Sequence, residues 1–531
     1  MTRVLDIAKM LGKSEIPNTD NKRLVTANDT TDGVDSSAVS SITQETPLNY
    51  YLTLDSLPTS NLTLGDRAFV QGNRRMYTSN GSGWYNTGLV GSFYNGTFFD
   101  STARDSAEAL YITVADDFGD ASAISPDGLR VISMDKDDGT FGTQRGNGRY
   151  WAKDSFGDNF VYTNSVNKVV DDRDYDWLGY AGVDVAIGTD NVEIVVAANP
   201  LHDRNPGTID NSGLVMAFGK SGLNFGWHQN IEPDGGAGDE DDFGWHCQLT
   251  SDAERIVTGA RHEDYQEVRD DGTLGPDNWT NIGAMYVFRR DSSHSTGQWP
   301  TRGYIQEARI IPPNNYQASS IWFGWHPSIS GNGNMIATGT LGAEPRYVHA
   351  YRRADSDWIH TGAIRASGHT AQFGRHVAFD YTGDLLAIGD MNNDKCHVYH
   401  YDSGQDSAWT EVATLTGTPG TRFGRQPRVS GDGQWIIVTA EGDSDKGSGA
   451  GAIHVFHKGD SIGSWNLDTK LYHPFEDDGY STTNFGLGAD VGNIDIDSDG
   501  TTIIGGKGGP KDSAGGADFG VVWAFKRTRG L

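Results

Sequence analysis

Carboxylates dominate the side chains able to do chemistry in this 531-residue chain, 71 Asp and Glu against 42 Lys and Arg, and they fall in clusters. The run Asp495-Ile496-Asp497-Ser498-Asp499-Gly500 sets oxygen ligands at alternate positions ahead of a glycine, as a calcium loop does, although Ile503 stands where the closing carboxylate belongs. Asp495, Asp497 and Asp499 are therefore the metal-ligand candidates. Further acidic runs lie at 171–176, 239–242, 263–271 and 476–478, with Asp443 and Asp445. From these runs and their aromatic neighbours, Asp174, Asp176, Asp241, Asp242, Tyr265, Trp279, Glu476 and Asp477 are candidates for a binding face. Two readings stand for such a face. It holds Ca2+ through carboxylates and backbone carbonyls, or it is solvated acidic surface without a ligand.

Histidines repeat as well. His246, His326 and His376 each follow Phe-Gly-Trp or Phe-Gly-Arg, His228 follows a further Phe225-Gly226-Trp227, and Gln426 takes the position once. Equivalent residues of successive repeats are expected a full unit apart, too far for one zinc ion with bonds of about 2 Å. Repetition alone accounts for them. No S-x-D-x-G-x-T-W sialidase box or H-E-x-x-H zinc motif occurs, so no catalytic residue is nominated and the chain is expected not to be an enzyme. A glycosidase needs two carboxylates about 5 to 10 Å apart, which a chain this acidic neither identifies nor excludes.

The elements that must position these residues are repeats. An aromatic-Gly (once Leu-Gly) start, a Gly/Asn/Asp turn and an apolar run ending in small residues begin at Phe118, Leu178, Phe243, Phe323, Phe373, Phe423 and Phe485. Alternation in 373–379 puts Phe373, Arg375, Val377 and Phe379 on one strand face. Turns such as Gly331-Asn332-Gly333 and Gly431-Asp432-Gly433 then lead into apolar strands such as 435–439, expected where a sheet is covered on both faces. A third strand carries an aromatic, as at Phe218, Phe288, Tyr351, Tyr399, Phe456 and Phe525, and a fourth follows a Trp at Trp299, Trp358, Trp409 and Trp465. Four strands per unit, recurring every roughly 50 to 80 residues, predict a seven-bladed, all-β propeller of four-stranded blades. The last unit lacks a fourth strand of its own, so 109–114 is expected to pair with 520–527 and close the ring.

The order F-G, S-x-D/N-G, apolar strand, V-Y/F-V-F and W resembles the FG-GAP repeat of integrin-type seven-bladed propellers over roughly 109–531. That resemblance implies calcium loops of the D-x-D-x-D-G-x-x-D kind, which only 495–500 approaches. Ca2+ is therefore the one cofactor left open.

Ahead of the repeats lie three further segments. Residues 1–46 combine a short amphipathic stretch (Val4, Leu5, Ile7, Ala8, Met10, Leu11), expected as a docking helix, with a polar extended segment. Residues 47–95 read as a small β-meander and 96–108 as a linker. The L-G-D-R-A-F-V and S-N-G-S-G-W-Y phrases of this module, behind the D-I-A-K-M-L-G start, resemble N-terminal regions of structural proteins from marine bacteriophages, particularly cyanophages.

Composition bounds the partners. A net charge of −29 without clustered Lys/Arg argues against nucleic acid. No secretory leader or membrane-spanning stretch is visible, and Cys247 and Cys396 are expected to be buried thiols rather than a bridge framework. Together these features predict a virion structural protein of a bacteriophage, made in the host cytoplasm and anchored to other virion proteins by its N-terminus. Its propeller, in tail or capsid decoration, would meet a host-surface glycan or protein receptor, with self-association left open. The alternatives are a carbohydrate-active enzyme on a propeller scaffold and a calcium-dependent, integrin-like adhesin.

Overall fold

The computed structural model describes most of 119–527, with breaks of which 473–492 and 508–520 are the longest, and short strands between 48 and 110. The expected helix and extended segment of 1–46, the linker 96–106 and the repeat starts Phe118 and Phe485 lie outside the described residues. Two compact units are distinguished. The N-terminal one contains a meander of four strands in chain order, Leu48–Tyr51, Leu64–Val70, Arg75–Asn80 and Trp84–Asn86.

The larger unit is a seven-bladed β-propeller of four-stranded antiparallel blades. Its innermost strands are Ala121–Ile124, Val183–Ile187, Phe243–Leu249, Ser328–Ile329, Phe373–Phe379, Phe423–Val429 and Ile494–Ile496, for blades one to seven. The seventh blade takes its outer strand from before the first: Ala107–Leu110 runs antiparallel to Val521–Lys526, with Leu110 opposite Val522 and Ala107 opposite Phe525. That strand begins two residues ahead of the expected 109, and 111–114 lie outside the described residues.

Apolar residues on both sheet faces let adjacent blades share a core, as in the cluster of Met335, Ala337 and Ile364 with Phe373, Val377 and Ile388. Second strands are correspondingly buried along their length; Trp435–Ala440 is buried at every residue. Each repeat phenylalanine at Phe243, Phe323, Phe373 and Phe423 is fully buried, edge-on or tilted to an aromatic of its own third strand at Tyr286, His349, His397 or His454.

The glycine of the repeat start has a separate cause. Gly324 sits at φ +88°, and a Cβ there would lie 2.2 Å from the Ala284 carbonyl oxygen of the preceding blade. On Gly259, next to last in the second strand of that blade, Arg255–Ala260, a Cβ would lie 1.8 Å from the Gly324 oxygen. The repeat's two small positions are thus the places where neighbouring blades touch backbone to backbone.

This left-handed glycine also corrects the simple alternation expected for 373–379. Register shifts between Phe373, opposite Asp390, and Val377, opposite Ile388, so 374–376 form a bulge. Phe373, Val377 and Phe379 stay in the core while Arg375 leaves it. Blades three and six carry the same irregularity between Phe243 and Cys247 and between Phe423 and Pro427. At the opposite end of the inner strands, the turns are stitched to one another around the ring. Ser251 N donates to Gly331 O, Asn332 N to Tyr381 O, Tyr381 N to Gly431 O, Asp432 N to Ser498 O and Ser498 N to Pro126 O, at 2.8 to 3.0 Å.

Candidate functional site

Inner strands that lie side by side without pairing leave their axial side chains facing one another, and here they form two layers around a cavity of about 100 Å³. In the layer nearer the turns, carbonyl and carboxylate oxygens reach the next blade's backbone. Asp184 accepts from Leu249 N (2.8 Å), Gln248 from Ile329 N (3.0 Å) and Asp495 from Ile124 N (3.0 Å). Arg428 joins them, its Nε 3.8 Å from Asp495. Burial, reinforced by the facing Asp495, raises the Asp184 carboxyl to about 7, and burial raises Asp495 as well, opposed by Arg428.

One layer up stand His246, His326 and His376, and the expectation that they lie a unit apart is wrong. The His246 and His326 rings meet edge-on at 4.8 Å between centroids, and His326 stacks on His376 at 4.1 Å. The reason is radial: blades diverge outwards, so equivalent residues on innermost strands converge at the axis. Burial holds His246 down to about 3 and the other two well below the ordinary imidazole range, so all three are neutral. Both ring nitrogens of His326, Nδ1 of His246 and Nε2 of His376 are buried without a hydrogen-bond partner.

The bulges place the preceding residues, Trp245, Trp325, Arg375 and Arg425, at the ends of the inner strands away from the turns, the end of the ring that forms its mouth. Trp245 and Trp325 pack at 5.4 Å, with Tyr180 edge-on to Trp245 and Trp322 stacked on Trp325 at 5.7 Å. Arg261, from the loop between second and third strands of blade three, lies 3.1 Å above the Trp245 ring and 4.5 Å from that of Trp325, and Asp242 accepts its Nε at 2.8 Å. Arg375 lies 5.6 Å from the Trp325 ring. Burial, with Arg425 and Arg422 close by, lowers its guanidinium to about 10. Arg422 and Arg425 share Glu441. Four arginines thus meet two carboxylates at this mouth, Asp242 and Glu441.

Of the residues expected on a binding face, the structure brings four to blade three. Asp242 also receives His262 Nδ1 at 3.0 Å; Asp241 accepts Gly238 N at 2.5 Å, with its carboxyl raised to about 6 by burial and then by Glu263 and Asp264. Tyr265 stands opposite Trp279 in a two-stranded ribbon, Tyr265–Val268 with Leu274–Trp279. Asp174, Asp176, Glu476 and Asp477 lie outside the described residues.

Two of the three metal candidates brace the seventh blade's turn. Asp495 faces the axis as above, while Asp497 accepts Thr501 N, Thr502 N and Thr501 Oγ1, and Asp499 accepts Thr501 N and Oγ1. Among the described residues no three His, Cys, Asp or Glu side chains are arranged to hold a metal ion. Cys247 and Cys396 are buried free thiols.

Sequence reasoning missed the Trp–Arg mouth because it read Phe-Gly-x-x as plain strand. The available signal was Trp, Trp, Arg and Arg at one repeat position, 245, 325, 375 and 425, where a core strand would carry aliphatics.

No protein family and no curated protein matches this sequence. Solved structures with a similar course of chain include a functionally unknown protein from Desulfotomaculum acetoxidans DSM 771, at 14% identity over 71% of this chain and 94% of that one, TM-score 0.41. Another is the periplasmic gluconolactonase PpgL of Pseudomonas aeruginosa, at 10% identity over 75% and 92%, TM-score 0.41. At such similarity no activity is carried across. No helix among the described residues is long and apolar enough to cross a membrane.

Proposed function

We propose that this chain is a structural protein of a bacteriophage particle, held by its N-terminal segment, whose propeller recognises a ligand at the axial mouth rather than transforming one. One observation carries the recognition reading. The buried indole nitrogens of Trp245 and Trp325 and the Nε atoms of Arg375 and Arg425 lack hydrogen-bond partners, at a mouth where cations outnumber anions. A non-catalytic role is supported by the axial carboxylates, since Asp184 and Asp495 already accept backbone N–H groups of neighbouring blades. The particle assignment rests on the FG-GAP-like repeats together with the phage-like phrases before them, and on it the protein belongs in the virion, bound to other virion proteins.

Deletion of 1–46 tests the anchor. The shortened protein is expected to fold and to be missing from purified particles; incorporation at normal occupancy overturns the assignment. Incubation of the full chain with host envelope polysaccharide is expected to release no sugar, and released sugar would move the reading to a carbohydrate-active enzyme.

A further inference from the structure

We infer that the axial mouth is an oxyanion-binding site, built to take a sulfate or carboxylate group between Trp325 and the Arg375–Arg425 pair. The inference rests on the mouth being a recognition surface and not on the particle assignment.

The groups left without partners there are of one kind. Indole N–H and guanidinium Nε–H can only donate, and Trp245 and Trp325, 8% and 9% exposed, carry their nitrogens out of reach of bulk water. A water molecule is a poor answer to such a set: it accepts about two hydrogen bonds and must then place two protons of its own. An oxyanion only accepts, and it also supplies the missing charge. Arg261 is matched by Asp242, and Arg422 and Arg425 divide Glu441 between them, while Arg375 reaches only the neutral Gln372 Oε1 at 3.1 Å. Arg375 therefore makes no ion pair of its own among the described residues: Glu441, already shared, acts on it from farther off, and Arg425, Arg422 and Arg261 crowd it. On a chain of net charge −29, which repels anions elsewhere, this local excess of cations marks one place where an anion is welcome.

Isothermal titration of the full chain separates the possibilities. Inorganic sulfate, glucuronate and glucose serve as probes, against wild type, Arg375→Gln and Trp325→Phe. Saturable binding of sulfate or glucuronate is expected, with none for neutral glucose. Affinity should fall about tenfold or more in Arg375→Gln and less in Trp325→Phe, which loses one donor but keeps a ring. Tighter binding of glucuronate identifies an acid group borne on a sugar, and tighter binding of sulfate a free inorganic anion. No saturable binding at tens of millimolar, or equal affinity in Arg375→Gln, overturns the inference. Denaturant unfolding without anion guards against a merely structural role: Arg375→Gln removes one of four crowded cations and should unfold no earlier than wild type, and a clearly earlier midpoint would also overturn the inference. Failure of the anion site leaves the 1–46 deletion result standing, and the reverse holds.

Discussion

The two ends of the axial channel are built on opposite plans. At the turn end, backbone meets backbone: Ser251, Asn332, Tyr381, Asp432 and Ser498 each donate an N–H to the turn of a neighbouring blade. At the mouth, side chains meet side chains, and several donors meet nothing in the protein. The difference teaches where the ring spends its stability and where it keeps unmet chemistry. Unpaired buried donors are tolerated in folded proteins chiefly where a ligand or water completes them, whereas the chain of backbone bonds running from the third blade's turn round to the first fixes those blades against one another.

Breaking the turn end should therefore have the largest effect. A Cβ on Gly331 would lie 2.6 Å from Ser251 Oγ and from Tyr381 Cδ2, and 3.1 Å from Tyr381 Cα. Tyr381 is 1% exposed. Gly331→Val should wedge the third, fourth and fifth turns apart at a cost of about 3 kcal/mol, read as a lower denaturant midpoint. A loss below about 1 kcal/mol would mean that the stitched turns are slack and that the contrast between the ends is false.

Midway along the channel the effect should be smaller and should depend on pH. Asp184 faces Asp495 and Arg428, and its folded carboxyl titrates at about 7 against an ordinary 3.8. As pH rises from about 4 to about 7, the unfolded chain gives up this proton while the folded chain keeps it, so stability falls across that window, by at most ~1.4 kcal/mol per pH unit for one proton. Asn at this position keeps an oxygen for Leu249 N–H and carries no charge. Asp184→Asn should match or trail wild type near pH 4 and gain on it steadily towards pH 7. Parallel stability curves for the two proteins would show that Asp184 is ionised throughout.

The contrast between the ends also explains what the sequence reveals. Turn residues such as Gly331-Asn332-Gly333 and apolar runs such as 435–439 are local signals, legible without knowing any neighbour, and they yield the repeat, the blade and the ring. The mouth is not local. Arg375 leaves the core because Gly374 takes a left-handed conformation (φ +77°) and bulges the strand, which an alternation rule passes over. His246, His326 and His376 touch because strands from three blades converge, and spacing along the chain carries no information about that radius. The acidic runs attracted attention by number, yet Asp242 matters through Arg261, the cation it holds over Trp245.

The smallest effect on folding is expected where the chemistry is least satisfied. Trp325→Phe removes an indole N–H that has no acceptor, so no hydrogen bond is lost with it. What is lost is part of the contact with Trp245 at 5.4 Å and Trp322 at 5.7 Å, which a phenyl ring largely retains. The cavity left is about the size of the missing ring edge, and with Arg261 and Arg375 able to settle towards it the cost should stay within about 1 kcal/mol. Denaturant midpoints measured beside those of Gly331→Val decide the matter. Should Trp325→Phe cost as much as the glycine substitution, the aromatic mouth would be a second structural clamp and the asymmetry between the two ends would disappear.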